Sequence, residues 1–426
     1  MPRPGRDPEP GDPISHDAGE VRELVVQLGT AMLAAGDSVD AVSSTLSGIL
    51  AAYGLQKSSV IVLPTVLWVE TGHGPTARIE LGGKVETSLR LDRVSALYSL
   101  VAEVAAETPA PVEAIARLRA LRAARPRFSW PIRVLGHAFL TVGLALLLQP
   151  TTSTLVACFI LGLMVGALKV PRLDSLQLVI PAATAFFATM AVLVAAAHFN
   201  LENPIRVLVP PLVTFLPGGV ITIATVELAA GEMVAGASRL VSGIVQLLLL
   251  GFGVLAGAML VGAPLAVLQD IPVESVVWWT PWLGILVFAV GIYLHFCTPT
   301  SSMPWVLLVL LAAYAGQELG AAWFGSQLSG FFGALAMTPL VLWFEHLPQG
   351  PPKLVTFLPA FWLLVPGAAG LIGITELVGV NGNVGDSATR LVTVTVISIA
   401  LGVLIGTAGY RSLHATTREI RRLVAP

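Results

Sequence analysis

Residues 210–240 read PPLVTFLPGGVITIATVELAAGEMVAGASRL, and the rest of the chain is organised around this stretch. It is apolar enough to lie in a bilayer, yet Pro217-Gly218 interrupts it near its middle, and Glu227, Glu232 and Arg239 add charges that a plain anchor does not need. Proline removes a backbone donor and clashes with the preceding turn, while the glycine after it lets the chain leave the helix. A second copy begins at Pro359: PAFWLLVPGAAGLIGITELVGVNGNVGDSATRL. Sliding one copy onto the other pairs Pro210 with Pro359, Pro217 with Pro366, Gly218 with Gly367 and Glu227 with Glu376. After a short slip, Ser238-Arg239-Leu240 meets Thr389-Arg390-Leu391.

The surroundings agree with a membrane protein. Of the 426 residues 55% are hydrophobic and only 12% charged, with a mean hydropathy of +0.81, values that soluble domains rarely reach. The charge is concentrated early: residues 1–133 hold 14 of the 24 Lys and Arg and 15 of the 26 Asp and Glu. Cys158 and Cys297 both fall in apolar runs, so neither a disulfide framework nor a cysteine metal site is indicated. The first residues are polar and Pro-rich with no apolar core, so no signal peptide is expected and the first ordered part is placed in the cytosol.

Residues 1–17 read as a disordered tail and 18–130 as a small cytosolic α+β domain. Val21, Leu24, Val25, Leu28 and Met32 recur at helical spacing; Gly36 ends that helix, and Asp37 or Ser38 caps a second one running to Tyr53. SSVIVLPTVLWVETG, TARIEL and KVETSL predict a short meander, followed by helices at 92–107 and 112–124. This part lacks a Gly-rich phosphate loop, an HExxH motif and paired cysteines, and His73 lies in a Gly-Pro turn. No enzyme, cofactor, metal or nucleic-acid partner is expected; the domain reads as regulatory, assembling or pathway-lining.

Arg117, Arg119, Arg122, Arg125, Arg127 and Arg133 crowd before the first apolar run and place its start inside. Since a spanning helix needs ~20 mostly apolar residues, ten spans are predicted, centred near 141, 161, 187, 217, 253, 290, 309, 333, 366 and 399. Lys169, Arg172, Arg239, Lys353 and Arg411 then fall on the inside, and only Arg206 and Arg390 outside. Spans 1–5 occupy 131–270, spans 6–10 occupy 271–410, and 411–426 form a cytosolic tail. The two copies sit in spans four and nine, five crossings apart, so they run in opposite directions. Weaker echoes agree: Leu135-Gly136 matches Leu283-Gly284, and Val142-Gly143 matches Val290-Gly291. The expected architecture is two five-helix inverted repeats. Such halves suit a transporter that rocks between inward-open and outward-open states around a site near the midplane.

The broken helices define the candidate site. Half-helices starting at Gly219 and Ala368 would point their N-terminal ends, each worth about +0.5 charge, at a substrate carboxylate. Pro217, Gly218, Gly219, Pro366, Gly367 and Ala368 frame that pocket, with hydroxyls from Thr214 and Thr222 and walls from Phe361 and Trp362. Glu227 and Glu376 lie ~13 Å further on, at about 1.5 Å per residue, and are read as proton-coupling or gating groups. Arg239 and Arg390 are their expected partners; Glu232, Thr225 and Thr375 complete that set. His137, His198 and His295 each lack a counterpart in the other half and read as packing residues, and the pairs Gly162/Gly166 and Gly253/Gly257 as close-approach points between helices.

LGTAMLAAGDSVDAVSSTLSGILAAYGL and PGGVITIATVELAAGEMVAGASRL resemble the first and central motifs of the threonine/serine exporter family. Pro217, Gly218, Leu228, Gly231, Gly236, Arg239 and Leu240 keep the central pattern, while Glu227 and Glu232 replace Asp. The resemblance spans about Val21 to Thr417. It implies proton-driven export of threonine and serine across the plasma (inner) membrane, with both termini cytosolic. Its partners would be a small amino acid, protons and the lipid bilayer, with a homo-oligomer left open. Related two-chain members are linked to dicarboxylates, so a succinate exporter is the alternative, and it would want a basic residue at the midplane. A membrane-tethered enzyme and a passive pore are further alternatives.

Overall fold

The computed structural model describes residues 17–72, 77–83, 85, 90–148, 151–169, 179–199, 201, 203–268, 277–364, 371, 394–395 and 397–413. The chain divides into two compact units: residues 1–88 with 96–124, and residues 89–95 with 125–426.

In the first unit, helix α1 (Ala18–Ala35) starts where the Asp17 carboxylate accepts from the Gly19 N–H and stops at Gly36, whose φ of 95° suits glycine. Ser38 caps α2 (Val39–Ala52) by accepting from the Ala41 N–H, while the neighbouring Asp37 holds the Tyr98 hydroxyl instead. β1 (Ser58–Leu63) and β2 (Val66–Thr71) form a hairpin with Leu63 opposite Val66, and β3 (Arg78–Leu81) adds to β2. Leu67, Val69 and Thr71 alternate inward on β2. Gly29 on α1 leaves room for Leu46 and Leu67; a Cβ there would sit 2.6 and 2.7 Å from their methyl groups. Helices α3 (Leu91–Glu107) and α4 (Pro111–Ala123) follow. The expected last strand, KVETSL, and His73 lie largely outside the described residues.

The second unit is built from apolar helices: α5 (Trp130–Leu148), α6 (Thr152–Leu168), α7 (Val179–Phe199), α8 (Pro204–Leu212), α9 (Gly218–Ala229), α10 (Met233–Val261), α11 (Thr280–His295), α12 (Met303–Phe324), α13 (Ser326–Glu345), α14 (Lys353–Leu363) and α15 (Ile397–Leu413). Five are long and apolar enough to cross a membrane, six if α8 and α9 form one bent span; α6, α11, α14 and α15 are shorter apolar helices. Eight of the expected span centres fall inside helices, that near 217 falls on a break, and that near 366 lies outside the described residues. Large apolar side chains such as Phe252, at 69% exposure, and Trp323, at 73%, face outward, as a lipid solvent allows and water would penalise. The chain is a multi-pass membrane protein.

Glycines set the helix packing. A Cβ on Gly143 of α5 would strike the Phe288 backbone of α11, and one on Gly291 of α11 would strike Leu140 of α5. The spacing that carries Gly143 onto Gly291 also carries Leu140 onto Phe288, so one contact is made twice, with the helices exchanged. Gly136 against Leu294 and Gly284 against Leu146 repeat the pattern. Likewise Gly253 and Gly257 of α10 meet Ala182 and Thr189 of α7, and Gly402 and Gly406 of α15 meet Phe331 and Thr338 of α13. Each residue of the second set is the counterpart of one in the first under the shift that aligns Pro217 with Pro366. Gly162 and Gly166 serve the same purpose between α6 and α5, against Thr141 and His137.

Candidate functional site at the break between α8 and α9

α8 runs into a single 3₁₀ turn, Val213–Phe215; Leu216 is extended and Pro217 heads α9. The segments Pro204–Phe215 and Gly218–Ala229 meet at 61°. Pro217 supplies no N–H, and the Phe215 carbonyl, whose partner in a continuous helix would be the Gly219 N–H, accepts instead from the Gln246 side-chain amide of α10, at 2.6 Å. The first intrahelical bond of α9 runs from the Ile221 N–H to the Pro217 carbonyl, so the Gly218, Gly219 and Val220 N–H groups form the orphan donors of a helix start.

Around this break the structure gathers residues from both copies. Among the described residues, only the Phe361 ring of α14 comes near Gly219, 3.8 Å from where a Cβ would be. Trp362 stacks on Phe296, just past α11, with centroids 4.7 Å apart. Thr222 is 1% exposed, and its hydroxyl has no hydrogen-bond partner among the described residues. Thr214 lies 3.1 Å from His137 Nε2, and His137 Nδ1 lies 3.0 Å from the Gly162 carbonyl. A carbonyl only accepts, so in neutral His137 the proton sits on Nδ1 and Nε2 accepts from the Thr214 hydroxyl. The His137 ring meets His295 edge-on at 4.9 Å, and His295 Nδ1 is tied to the Arg133 carbonyl at 2.9 Å. Lys169, which follows α6, sets its ammonium 4.9 Å from the Phe215 ring and 5.9 Å from that of Phe296.

Away from the break, Gly231 at φ 91° ends the turn after α9, and α10 returns along α9 with Gly236 against Leu228 and Gly243 against Ile221. This hairpin brings Arg239 Nε to 3.1 Å from Glu227 Oε2, with exposures of 12% and 1%. From Gly218 to Glu227 is ~13 Å along a helix, so the pair stands apart from the break. Glu232 precedes α10 and is exposed. The Thr225 hydroxyl donates to the Ile221 carbonyl within α9. Pro366, Gly367, Ala368, Thr375, Glu376 and Arg390 lie outside the described residues.

Several residues at the break are absent from the site that the sequence suggests. Gln246 carries a signal, as a lone amide in a long apolar run, whereas Lys169 reads only as a basic residue at the inner membrane edge. Phe296 carries no signal. His137 and His295 stand out in the sequence, but their meeting depends on the α5–α11 packing. His198 bonds to the Val194 carbonyl of its own helix.

The sequence model of the ThrE family, described as a threonine/serine exporter, matches residues 23–261, more than half of the chain. No curated protein and no solved structure matches the chain. The match runs from α1 to the end of α10 and so includes the break, the Glu227–Arg239 pair, His137 and Lys169: the chain belongs to the threonine/serine exporter family.

Proposed function

We propose that this family member carries threonine and serine out of the cytosol in exchange for protons, by alternating access around the break at Pro217-Gly218. The observation that carries this reading is the 61° bend that starts α9 at Gly218 and sets Gly219 of the first copy against Phe361 of the second. A zwitterionic amino acid fits there: its carboxylate at the orphan N–H groups, its hydroxyl on Thr222 or Thr214, its aliphatic part on Phe361 and Trp362. The recurrence of the glycine contacts at one nearly constant offset along the chain supports two inverted halves, which have two packings of similar energy. Ten crossings, a cytosolic first unit, cytosolic termini and a plasma-membrane location complete the proposal. Glu227 and Arg239 act as a gate at the end of α9, with Glu376 and Arg390 as their counterparts.

Export of a small dicarboxylate such as succinate is the second reading, favoured by one observation: Lys169 stands beside the break. The test is uptake of labelled threonine, serine and succinate into proteoliposomes holding the full chain, with and without an imposed pH gradient. Gradient-driven threonine and serine accumulation, abolished by a protonophore, is expected. Succinate alone being carried would select the second reading. Equal flux with and without the gradient would leave a passive pore.

A further inference from the structure

Lys169 presents a charge without an anionic partner among the described residues. Its ammonium lies over the faces of Phe215 and Phe296. Phe215 closes the 3₁₀ turn just before Pro217, and Phe296 stacks on Trp362 of the second copy. The half-buried cation therefore lies against one ring from the chain just before the break and one from the chain just past α11. Among the described residues no carboxylate comes within ion-pair distance of it; the buried acid Glu227 is committed to Arg239. The other ionisable groups around it are His137, His295 and Arg133, none of which supplies negative charge.

Aromatic faces offset a cation only in part, and a half-buried ammonium set against apolar rings is stabilised by an anion. Unpaired basic groups inside membrane proteins characteristically mark the path of a substrate or ion. Two further features of α9 await an acceptor or an anion: the orphan N–H groups at its start and, one turn on, the buried Thr222 hydroxyl, which has no partner among the described residues. We propose that Lys169 is the anchor for the carboxylate of the transported molecule, so that the protein selects small solutes with a free carboxylate. This rests on the reading of the chain as an exporter with its site at the break. It adds a specificity residue that belongs to the end of α6 and not to the broken helix.

The experiment is counterflow of labelled threonine in proteoliposomes containing the full chain, with unlabelled threonine or threoninamide as competitor, in wild type, K169Q and K169R. Threoninamide keeps the hydroxyl and the amine but lacks the anion. Wild type should prefer threonine by about tenfold or more, the range for one charged hydrogen bond. K169Q should weaken threonine by a similar factor and treat both competitors alike, while K169R keeps part of the preference. Wild-type affinity and preference in K169Q would overturn the proposal, as would a wild type that accepts threoninamide as well as threonine. Lowered thermal stability of K169Q with the preference intact would reduce Lys169 to a packing role and also overturn it. Should K169Q not fold, the preference in wild type and K169R decides: present in both it supports the anchor, missing from either it refutes it. A wild type that carries succinate but no threonine or serine would refute the proposed substrate alone; the anchor is then decided by the same comparison with succinate and succinamide.

Discussion

Replacing Glu227 by Gln should cost the folded protein about 3–5 kcal/mol, the usual penalty for stripping one partner from a buried ion pair. The structure sets that scale. Arg239 Nε is 3.1 Å from Glu227 Oε2, with the carboxylate 1% and the guanidinium 12% exposed. At an effective dielectric of about 20 the attraction at such a distance is about 5 kcal/mol, most of it spent against desolvation of the two ions. Removing the carboxylate leaves the second cost without the first gain. Arg239→Gln should be comparably damaging, and the double variant E227Q/R239Q should be milder than the sum. Reversible denaturation of purified protein in mixed micelles, run as a double-mutant cycle, gives the coupling directly; about 2–3 kcal/mol is expected. A coupling under ~0.5 kcal/mol, the value for an exposed pair, would refute the claim that this pair fastens the α9–α10 hairpin.

Three further outcomes follow from the packing. G143A and G291A should each destabilise by about 1–3 kcal/mol or more, because the new methyl meets backbone of the partner helix, and their effects should match; G48A, with open space, is the control, read by thermal unfolding of each variant. Q246L should cost about 1–3 kcal/mol by orphaning the Phe215 carbonyl, seen as a lower denaturation midpoint and faster amide exchange around Thr214–Gly219. G36A should cost about 1 kcal/mol, since its φ of 95° is unfavourable for alanine, measured by chemical denaturation.

How far the sequence can be read depends on the distance over which each feature is encoded. The break is legible because Pro217 and Gly218 act on their own backbone, and the second copy at Pro366 marks the pattern as built in. The Glu227–Arg239 pair is legible because a turn at Gly231 folds two neighbouring helices together. Gly36 and Ser38 are legible for the same reason: a cap is a local event. Lys169 is not, because nothing in its neighbourhood of the chain says that its ammonium will reach Phe215 and Phe296, both far away in sequence. The His137–His295 contact likewise needs α5 and α11 to be adjacent. That adjacency is written in the sequence as the glycine pairs Gly136/Gly284 and Gly143/Gly291, which on their own read as echoes of a repeat. Their role as self-matching contacts emerges only when the helices are laid together. The shift that carries Pro217 onto Pro366 also carries Gly253 and Gly257 onto Gly402 and Gly406, and spacing alone does not say which helices such glycines join.

The claim on which the mechanism turns is that substrate binds where α9 begins. The most direct measurement is threonine counterflow by the double variant P217A/G218A in proteoliposomes, beside its thermal unfolding midpoint. A folded protein with transport lost is the predicted result, because restoring a continuous helix consumes the orphan N–H groups of Gly219 and Val220 proposed to receive the carboxylate. Counterflow at the wild-type rate from a folded variant would contradict it.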